Sequence, residues 1–336
     1  MSIRNRRAIH QTADQSLVNA KGDPKQLLLL YLLIVTGLSL AASVISVLLS
    51  NRIADTGGLG NMGLRSVLST AKAVLPLAQS LIFLGLEMGY CTAALNISRG
   101  EQFSRDTLFG GFRRFFPLLR AQILLGFLYF GTAMISLYPS VYIFLLLPMS
   151  KGFYDVMTPL MESASVLTEP LILDEATMAA ATEAMMPVFW IFAAMFLLLF
   201  IPIHYNYRLA VYRLIDQPRP GALRALRESR SMMRRNRFAL FRLDLDLWWF
   251  YVLQALIMIL CYGDMLLPLV GIALPWSETA SYFIFLSLSL LLQFVVYYCF
   301  MNRVAVTYAT AYGTLLPTGQ PKESAPAPAH PWQNQY

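Results

Sequence analysis

Long apolar runs separated by charged segments dominate the pattern along this chain. Six runs hold about 20 residues each, and a helix of that length crosses ~30 Å of hydrocarbon. A shorter apolar piece at 141–147 cannot cross alone, so it either extends the third run or lies at the membrane interface. The pattern predicts an all-α, polytopic membrane helix bundle, with spans at 27–50, 74–97, 118–138, 188–210, 243–262 and 282–302.

The segments outside the 27–312 transmembrane domain are polar. Residues 1–26 are expected to form an N-terminal tail, and residues 313–336, rich in Pro, Ala and Gln, to form a disordered C-terminal tail. Between the third and fourth spans, Asp174 is a good N-cap and Glu175 suits a first helical turn, which predicts a short surface helix there.

Composition agrees with a membrane protein. The chain is 57% hydrophobic and 13% charged, and its mean hydropathy is +0.54. Soluble domains carry about 25% charged residues, so this chain has too little charge to cover a water-facing globule.

The positive charges predict an orientation. If the N-terminal tail is cytoplasmic, the inside segments are 1–26, 99–120, 208–242 and the stretch from Arg303 onwards, and they hold 22 of the 26 Lys and Arg residues. Cytoplasmic loops carry such an excess, so both termini are predicted to face the cytoplasm from the cell (plasma) membrane. Arginines beside apolar spans suit anionic lipid headgroups and not nucleic acid, which we exclude as a partner.

An arginine-rich stretch from Asp216 to Trp249 separates the fourth and fifth spans. At ~100° per residue, Ala222, Ala225, Leu226, Ser229, Met232, Met233 and Leu240 share one face of a helix. The opposite face carries Arg224, Arg227, Arg230, Arg234, Arg235 and Arg237. This predicts an interfacial amphipathic helix on the cytoplasmic side, with its apolar side in the acyl boundary. It serves either as a topological anchor or as a docking site for anionic lipid or an acidic partner.

The same stretch carries a recognisable motif. Ser229 opens a run that reads Ser-Arg-Ser-Met-Met-Arg-Arg-Asn-Arg, and Leu240 opens Leu-Phe-Arg-Leu-Asp-Leu. This resembles a bacterial membrane protein family catalogued as domain of unknown function 975, which shows Ser, then Met-Lys-Gly-Asn-Lys and Leu-Phe-x-Leu-Asp-Leu-Ser-Phe. Arg235 stands where that family has Gly, and Asp246 where it has Ser.

The resemblance covers the C-terminal half of the chain well and the first three spans by topology alone. Tyr212, Asp216 and Pro218 fit the family's lead-in, and Tyr308 fits its closing segment more loosely. The resemblance implies a fold but no activity.

Two segments suggest internal repetition. Tyr90 to Leu124 and Tyr205 to Leu245 each read as a helix end, a polar turn, an Arg-rich amphipathic stretch and a new span. A tandem three-helix repeat is one hypothesis for this similarity. Small residues within the spans are interpreted as sites of close helix packing, namely Gly85, Gly89, Gly126 and Gly131.

Polar residues inside the spans are the remaining candidates for function. Glu87 is predicted near the centre of the second span, His204 and Arg208 near the inner end of the fourth, and Arg303 at the end of the sixth. A charge at mid-bilayer costs at least ~2.5 kcal/mol, so these residues form either a buried polar site or proton relay, or a structural pair that holds two helices together.

No catalytic or cofactor motif accompanies these residues. The sequence lacks a phosphate-binding loop, a His-Glu-x-x-His motif and a serine elbow, and its three cysteines are scattered through apolar segments. We therefore expect no enzyme, metal or cofactor. The favoured function is an accessory or scaffold protein that binds membrane lipids or another membrane protein through the Arg-rich cytoplasmic surface. The alternative is a transporter or permease component with a polar mid-membrane site around Glu87.

Overall fold

The computed structural model describes residues 6–55, 62–113, 115–148, 150–155, 158, 175–217, 221–269 and 275–316. Regular structure within these ranges is entirely helical, which confirms the all-α class. The helices are α1 (Arg6–Val18), α2 (Pro24–Asp55), α3 (Met62–Arg99), α4 (Arg105–Arg113), α5 (Phe115–Leu146), α6 (Glu175–Tyr207), α7 (Ala210–Asp216), α8 (Ala222–Met233), α9 (Arg237–Asp246), α10 (Trp248–Cys261), α11 (Gly263–Leu269) and α12 (Glu278–Leu315).

Five stretches are long and apolar enough to cross a membrane, and α9 with α10 makes a sixth if that bent pair counts as one span. The chain is therefore a multi-pass membrane protein. The five stretches are Pro24–Ala54, Gly63–Arg99, Phe115–Leu146, Thr182–Asp216 and Ala280–Leu315.

The expectation of a continuous helix over 243–262 is wrong, because the chain bends by 70° between α9 and α10. Two carboxylates precede the bend. Asp244 is buried and accepts a hydrogen bond from Tyr308, and Asp246 forms an ion pair with Arg6. Both carboxylates therefore have partners within the protein before the chain turns into α10.

Other helix ends also differ from the sequence predictions. The apolar piece at 141–147 extends the third span, because α5 continues through Pro139 to Leu146. The surface helix expected after Asp174 is continuous with the fourth span in α6. Gly313 to Leu315 belong to α12, and the rest of the predicted disordered tail, from residue 317, lies outside the described residues.

The chain divides into two compact units. The first contains Met1–Arg120 and Leu209–Tyr336, and the second contains Ala121–Arg208. Tyr129 and Phe200 link α5 to α6 within the second unit, with their ring centroids 5.0 Å apart.

Most of the buried core of the first unit lies at one end of its long helices. By contrast, the most apolar 18-residue window of Gly63–Arg99 contains no buried residue. The completely buried side chains include Leu95, Leu108, Leu209, Leu214, Met233 and Tyr312. We call this region the collar, and it comprises α1, Tyr90–Arg99 of α3, α4, α7, α8, α9 and Asn302–Leu315 of α12.

The N-terminal segment expected to be a tail contains a docked helix. α1 packs against α3 and α12, and it buries Ile9 and Ala13. Ion pairs from Arg6 to Asp246 and from Asp14 to Arg303 tie it to the elbow between α9 and α10 and to α12. Those partners are more than 200 residues away in the sequence, so local pattern alone did not reveal the contact.

The face assignment for α8 is confirmed, but its expected environment is wrong. Ala225, Leu226, Ser229 and Met233 are buried, as the periodicity predicted. The protein itself covers them, and α8 packs against α7, so this face is not available to acyl chains.

A glycine with positive φ lies at each Arg-rich turn. Gly100 follows the end of α3 and Gly221 precedes α8, and these are the two glycines with positive φ (66° and 82°) among the described residues. At the first turn, the amide of Gly100 donates to Ile97 and that of Glu101 to Asn96, the capping pattern that favours glycine. A short helix follows each glycine and packs back on the helix before the turn.

Glycine permits the close approach of α4 to α3. A Cβ added to Gly89 would lie 1.8 Å from the carbonyl oxygen of Leu108, and one added to Gly111 would lie 2.1 Å from that of Gly85. The packing role predicted for Gly85 and Gly89 is therefore confirmed. The same role for Gly126 and Gly131 is wrong, because no described atom lies within 4 Å of a Cβ added at either position.

We expect Gly111→Ala to destabilise the protein by about 1–3 kcal/mol, because the new methyl group overlaps a backbone carbonyl that cannot move aside alone. Gly110→Ala is the matched control, since it makes the same change in the same helix with no described atom within 4 Å. Thermal melting in mild detergent measures both variants. Equal melting temperatures for the two would contradict the contact.

Candidate functional site

A network of charged side chains joins four helices in the collar. Nη2 of Arg99 lies 2.7 Å from Oδ1 of Asp216, which connects the end of α3 to the end of α7. The hydroxyl of Tyr312, from α12, donates to Oδ2 of Asp216 at 2.9 Å. Nε of Arg213 donates to Glu228 of α8 at 2.5 Å. Through these contacts the network fixes both Arg-rich turns to α12.

Burial makes the pairing within this network necessary. The Arg213 side chain is 8% exposed and Tyr312 is completely buried, so an unpaired charge here would be costly. Partial burial raises the pKa of the Glu228 carboxyl, but hydrogen bonds from Arg213 and Arg224 outweigh it and hold that pKa below its ordinary value. Glu228 is thus a stable anion between two arginines.

A pocket lies where α1 covers the elbow between α9 and α10. From α1 it is lined by Arg7, His10, Gln11 and Asp14, and this open pocket has a volume of about 330 Å³. Its other walls come from Asp246 and Leu247 at the elbow, Trp249 of α10 and Arg303 of α12.

Both acids in this pocket are paired. Asp14 contacts Nε of Arg303 at 3.0 Å, and Asp246 contacts Nη1 of Arg6 at 2.8 Å. Nε2 of His10 lies 3.6 Å from Asp246, too far for a hydrogen bond, and both ring nitrogens are shielded from solvent with no hydrogen-bond partner in the described part of the chain.

The predicted docking arginines form an exposed surface. Arg224 is held by Glu228 at 2.8 Å, and Arg237 is half-buried. The other four side chains are exposed: Arg227 and Arg230 lie on α8 away from its buried face, and Arg234 and Arg235 directly follow the end of α8. We call the set of Arg224, Arg227, Arg230, Arg234, Arg235 and Arg237 the arginine surface.

Glu87 lies one turn before Tyr90 along α3. Tyr90 donates to Asn302, and Asn302 donates to the carbonyl of Pro24, where α2 begins. The Glu87 side chain is exposed, and none of the described residues forms a hydrogen bond or ion pair with it. Its place at the centre of the span stays a prediction.

The other predicted intramembrane residues have separate neighbours. Arg303 pairs with Asp14 on the first unit. In the second unit, Nδ1 of His204 lies 3.4 Å from the hydroxyl of Tyr129, and the guanidinium of Arg208 lies over the Tyr205 ring. The polar site proposed for these residues stays a prediction.

Sequence reasoning missed most of the charge network. Asp216 was noticed only as part of a family resemblance, and Arg99, Arg213 and Tyr312 were not singled out. The usable signal was the pair of opposite charges at Arg213 and Asp216 inside an otherwise apolar run.

Comparison with known proteins gives a family and no function. The family model described as "Protein of unknown function (DUF975)" matches residues 1–304, a range that includes Arg99, Asp216, Asp244 and Arg303 and ends before Tyr312. No curated protein and no solved structure matches the chain.

We expect Asp216→Asn to lower the free energy of unfolding by about 1–3 kcal/mol, because it leaves Arg99 without its partner in a largely desolvated setting. Arg105→Gln is the control, since it removes an exposed charge from α4 and should change stability by no more than about 0.5 kcal/mol. Melting temperatures in detergent test this, and a wild-type value for Asp216→Asn would show that the pair is dispensable.

Proposed function

The chain belongs to the DUF975 family of proteins of unknown function, and from that premise we propose that it is a non-catalytic accessory or scaffold protein of the cell membrane. It acts by binding anionic lipid headgroups through the arginine surface. The observation that carries this proposal is that the apolar face of α8 is buried in the protein while the arginines on its other side are exposed. The packing of α8 against the protein therefore holds its exposed arginines at the surface.

The direction of α9 supports a position at the membrane surface. If α10 crosses the bilayer, a helix inclined to it by 70° lies nearly along the surface. α9 exposes Phe238 and Leu245, and the guanidinium of Arg242 lies 4.4 Å from the Phe238 ring centroid. Exposed aromatic and basic side chains together are typical of elements at the headgroup level.

We infer that the collar and both termini face the cytoplasm. The support is that the Arg-rich elements α1, α4, α8 and α9 all belong to the collar, so most of the positive charge lies at one end of the first unit. Positive charge of this kind is retained on the cytoplasmic side.

A membrane-impermeant maleimide tests this orientation in intact cells. A cysteine introduced as Ser231→Cys in α8 should react only after permeabilisation, whereas Asn51→Cys, near the far end of α2, should react without it. The unmodified chain corrects for its own three cysteines. Reaction of Ser231→Cys in intact cells would reverse the orientation.

Charge reversal tests the lipid-binding role. We expect the triple variant Arg230→Glu, Arg234→Glu, Arg235→Glu to lose enrichment of anionic lipid, by at least roughly fivefold, because each basic residue near an anionic surface contributes ~1 kcal/mol. The measurement is the ratio of phosphatidylglycerol to phosphatidylcholine extracted with the protein in polymer-bounded discs. The matched control replaces the same three arginines with lysine and should retain the enrichment.

Two other outcomes would contradict this proposal. Unchanged enrichment in the reversed variant would remove the lipid role. A stoichiometric protein that co-purifies with the lysine variant and is lost from the glutamate variant would make the surface a docking site for an acidic partner.

The geometry does not favour the transporter alternative. That hypothesis requires a polar site at mid-membrane around Glu87, whereas Tyr90, one turn from Glu87, is linked through Asn302 to the carbonyl where α2 begins. Among the described residues, the broken span is the one that bends by 70° between α9 and α10, at the edge of the collar. A carrier of the discontinuous-helix type has such breaks near the bilayer midplane.

A further inference from the structure

The pocket beneath α1 contains a basic side chain that is not neutralised by its acids. Its two acids are paired, Asp246 with Arg6 and Asp14 with Arg303. Arg7 also lines the pocket, and none of the described residues forms an ion pair or hydrogen bond with it. The lining holds two arginines and two aspartates, but Asp246 is neutralised by Arg6 from outside the lining. Arg7 is therefore left to attract an anion.

The floor of the pocket is apolar and continuous with the start of a membrane span. Leu247 lies at the elbow, and Trp249 is in the first turn of α10, with its ring centroid 4.4 Å from that of Phe300 in α12. Phe300 is two residues before Asn302, which bonds to the carbonyl where α2 begins. The pocket therefore lies at the level where the helices leave the apolar region.

The charged rim and the apolar floor together favour an amphiphilic ligand, with a charged headgroup and an apolar chain. Arg7 and Gln11 are both exposed at the rim, and a guanidinium and an amide both donate hydrogen bonds to phosphate oxygens. A volume of about 330 Å³ is at the small end for ligand sites, so it holds a headgroup and not a whole lipid.

We propose that this pocket binds the phosphate headgroup of one anionic phospholipid, with Arg7 and Gln11 contacting the phosphate and Leu247 and Trp249 contacting the start of an acyl chain. α1 closes the site over the elbow. Asp246 supplies the carboxylate that holds α1 there through Arg6. This goes beyond the function proposed above, because it is a single stoichiometric site separate from the arginine surface.

The test uses the full chain reconstituted in phosphatidylcholine nanodiscs and titrated with phosphatidylglycerol. Native mass spectrometry counts the phosphatidylglycerol molecules retained per chain. We expect one tightly held molecule on the wild type and an affinity about tenfold lower for Arg7→Gln, since a hydrogen bond to a charged group is lost. Arg105→Gln removes one exposed charge elsewhere in the collar and should bind as the wild type does.

Further variants keep the result interpretable. Gln11→Glu places a negative charge at the exposed rim and should weaken the retention of phosphatidylglycerol. This variant tests the site even if Arg7→Gln is unstable. The glutamate triple variant of the arginine surface should keep the single lipid, so failure of one proposal can be distinguished from failure of the other. Wild-type retention by both Arg7→Gln and Gln11→Glu would overturn the site.

Glycerol phosphate, which has the same phosphate but no acyl chain, separates a lipid from a soluble ligand. We expect it not to displace phosphatidylglycerol at equal concentration, because it cannot contact Leu247 and Trp249. Displacement at equal concentration would overturn the lipid assignment and make the pocket a site for a soluble phosphate ester.

Discussion

The collar of this protein depends on ion pairs and hydrogen bonds between charged side chains that are largely buried. Arg213 and Tyr312 are buried beside apolar spans, and Arg99, Asp216 and Glu228 complete their hydrogen bonds. Removal of Asp216 would leave Arg99 without its carboxylate, and removal of Glu228 would leave the buried Arg213 without one. Because these groups come from α3, α7, α8 and α12, their pairing sets where both Arg-rich turns lie, and it holds the buried face of α8 against the protein.

The collar and the membrane spans are packed in different ways. The collar is packed like a water-soluble domain, with Leu95, Leu214 and Met233 completely buried, whereas the most apolar windows of the spans are at most 22% buried. Lipid tails are as apolar as leucine, so hydrophobic burial does not drive helices together inside a bilayer. The side chains that could recognise a ligand are therefore concentrated at the collar, where charge can be exposed to water and headgroups.

The elbow between α9 and α10 gives two nearby carboxylates different partners. Asp244 is buried and bound by Tyr308. Asp246 binds Arg6 and lies beside His10. The first carboxylate belongs to the core of the collar, and the second recruits α1. The pocket exists only because α1 is held over the bend.

The sequence by itself determined the membrane class, five of the spans, the two faces of α8 and the one-sided placement of positive charge. These follow from local periodicity and from the high cost of charge in hydrocarbon, which act within about 20 residues. Only the tertiary structure decided the bend at Leu247, the docking of α1 and the partners of Arg99 and Arg213. Each of these depends on contacts such as Arg99 with Asp216 or Arg6 with Asp246, whose partners lie 117 and 240 residues apart. Such pairs produce no periodic pattern in a single sequence, because the packing of helices that are distant in the sequence determines which residues meet.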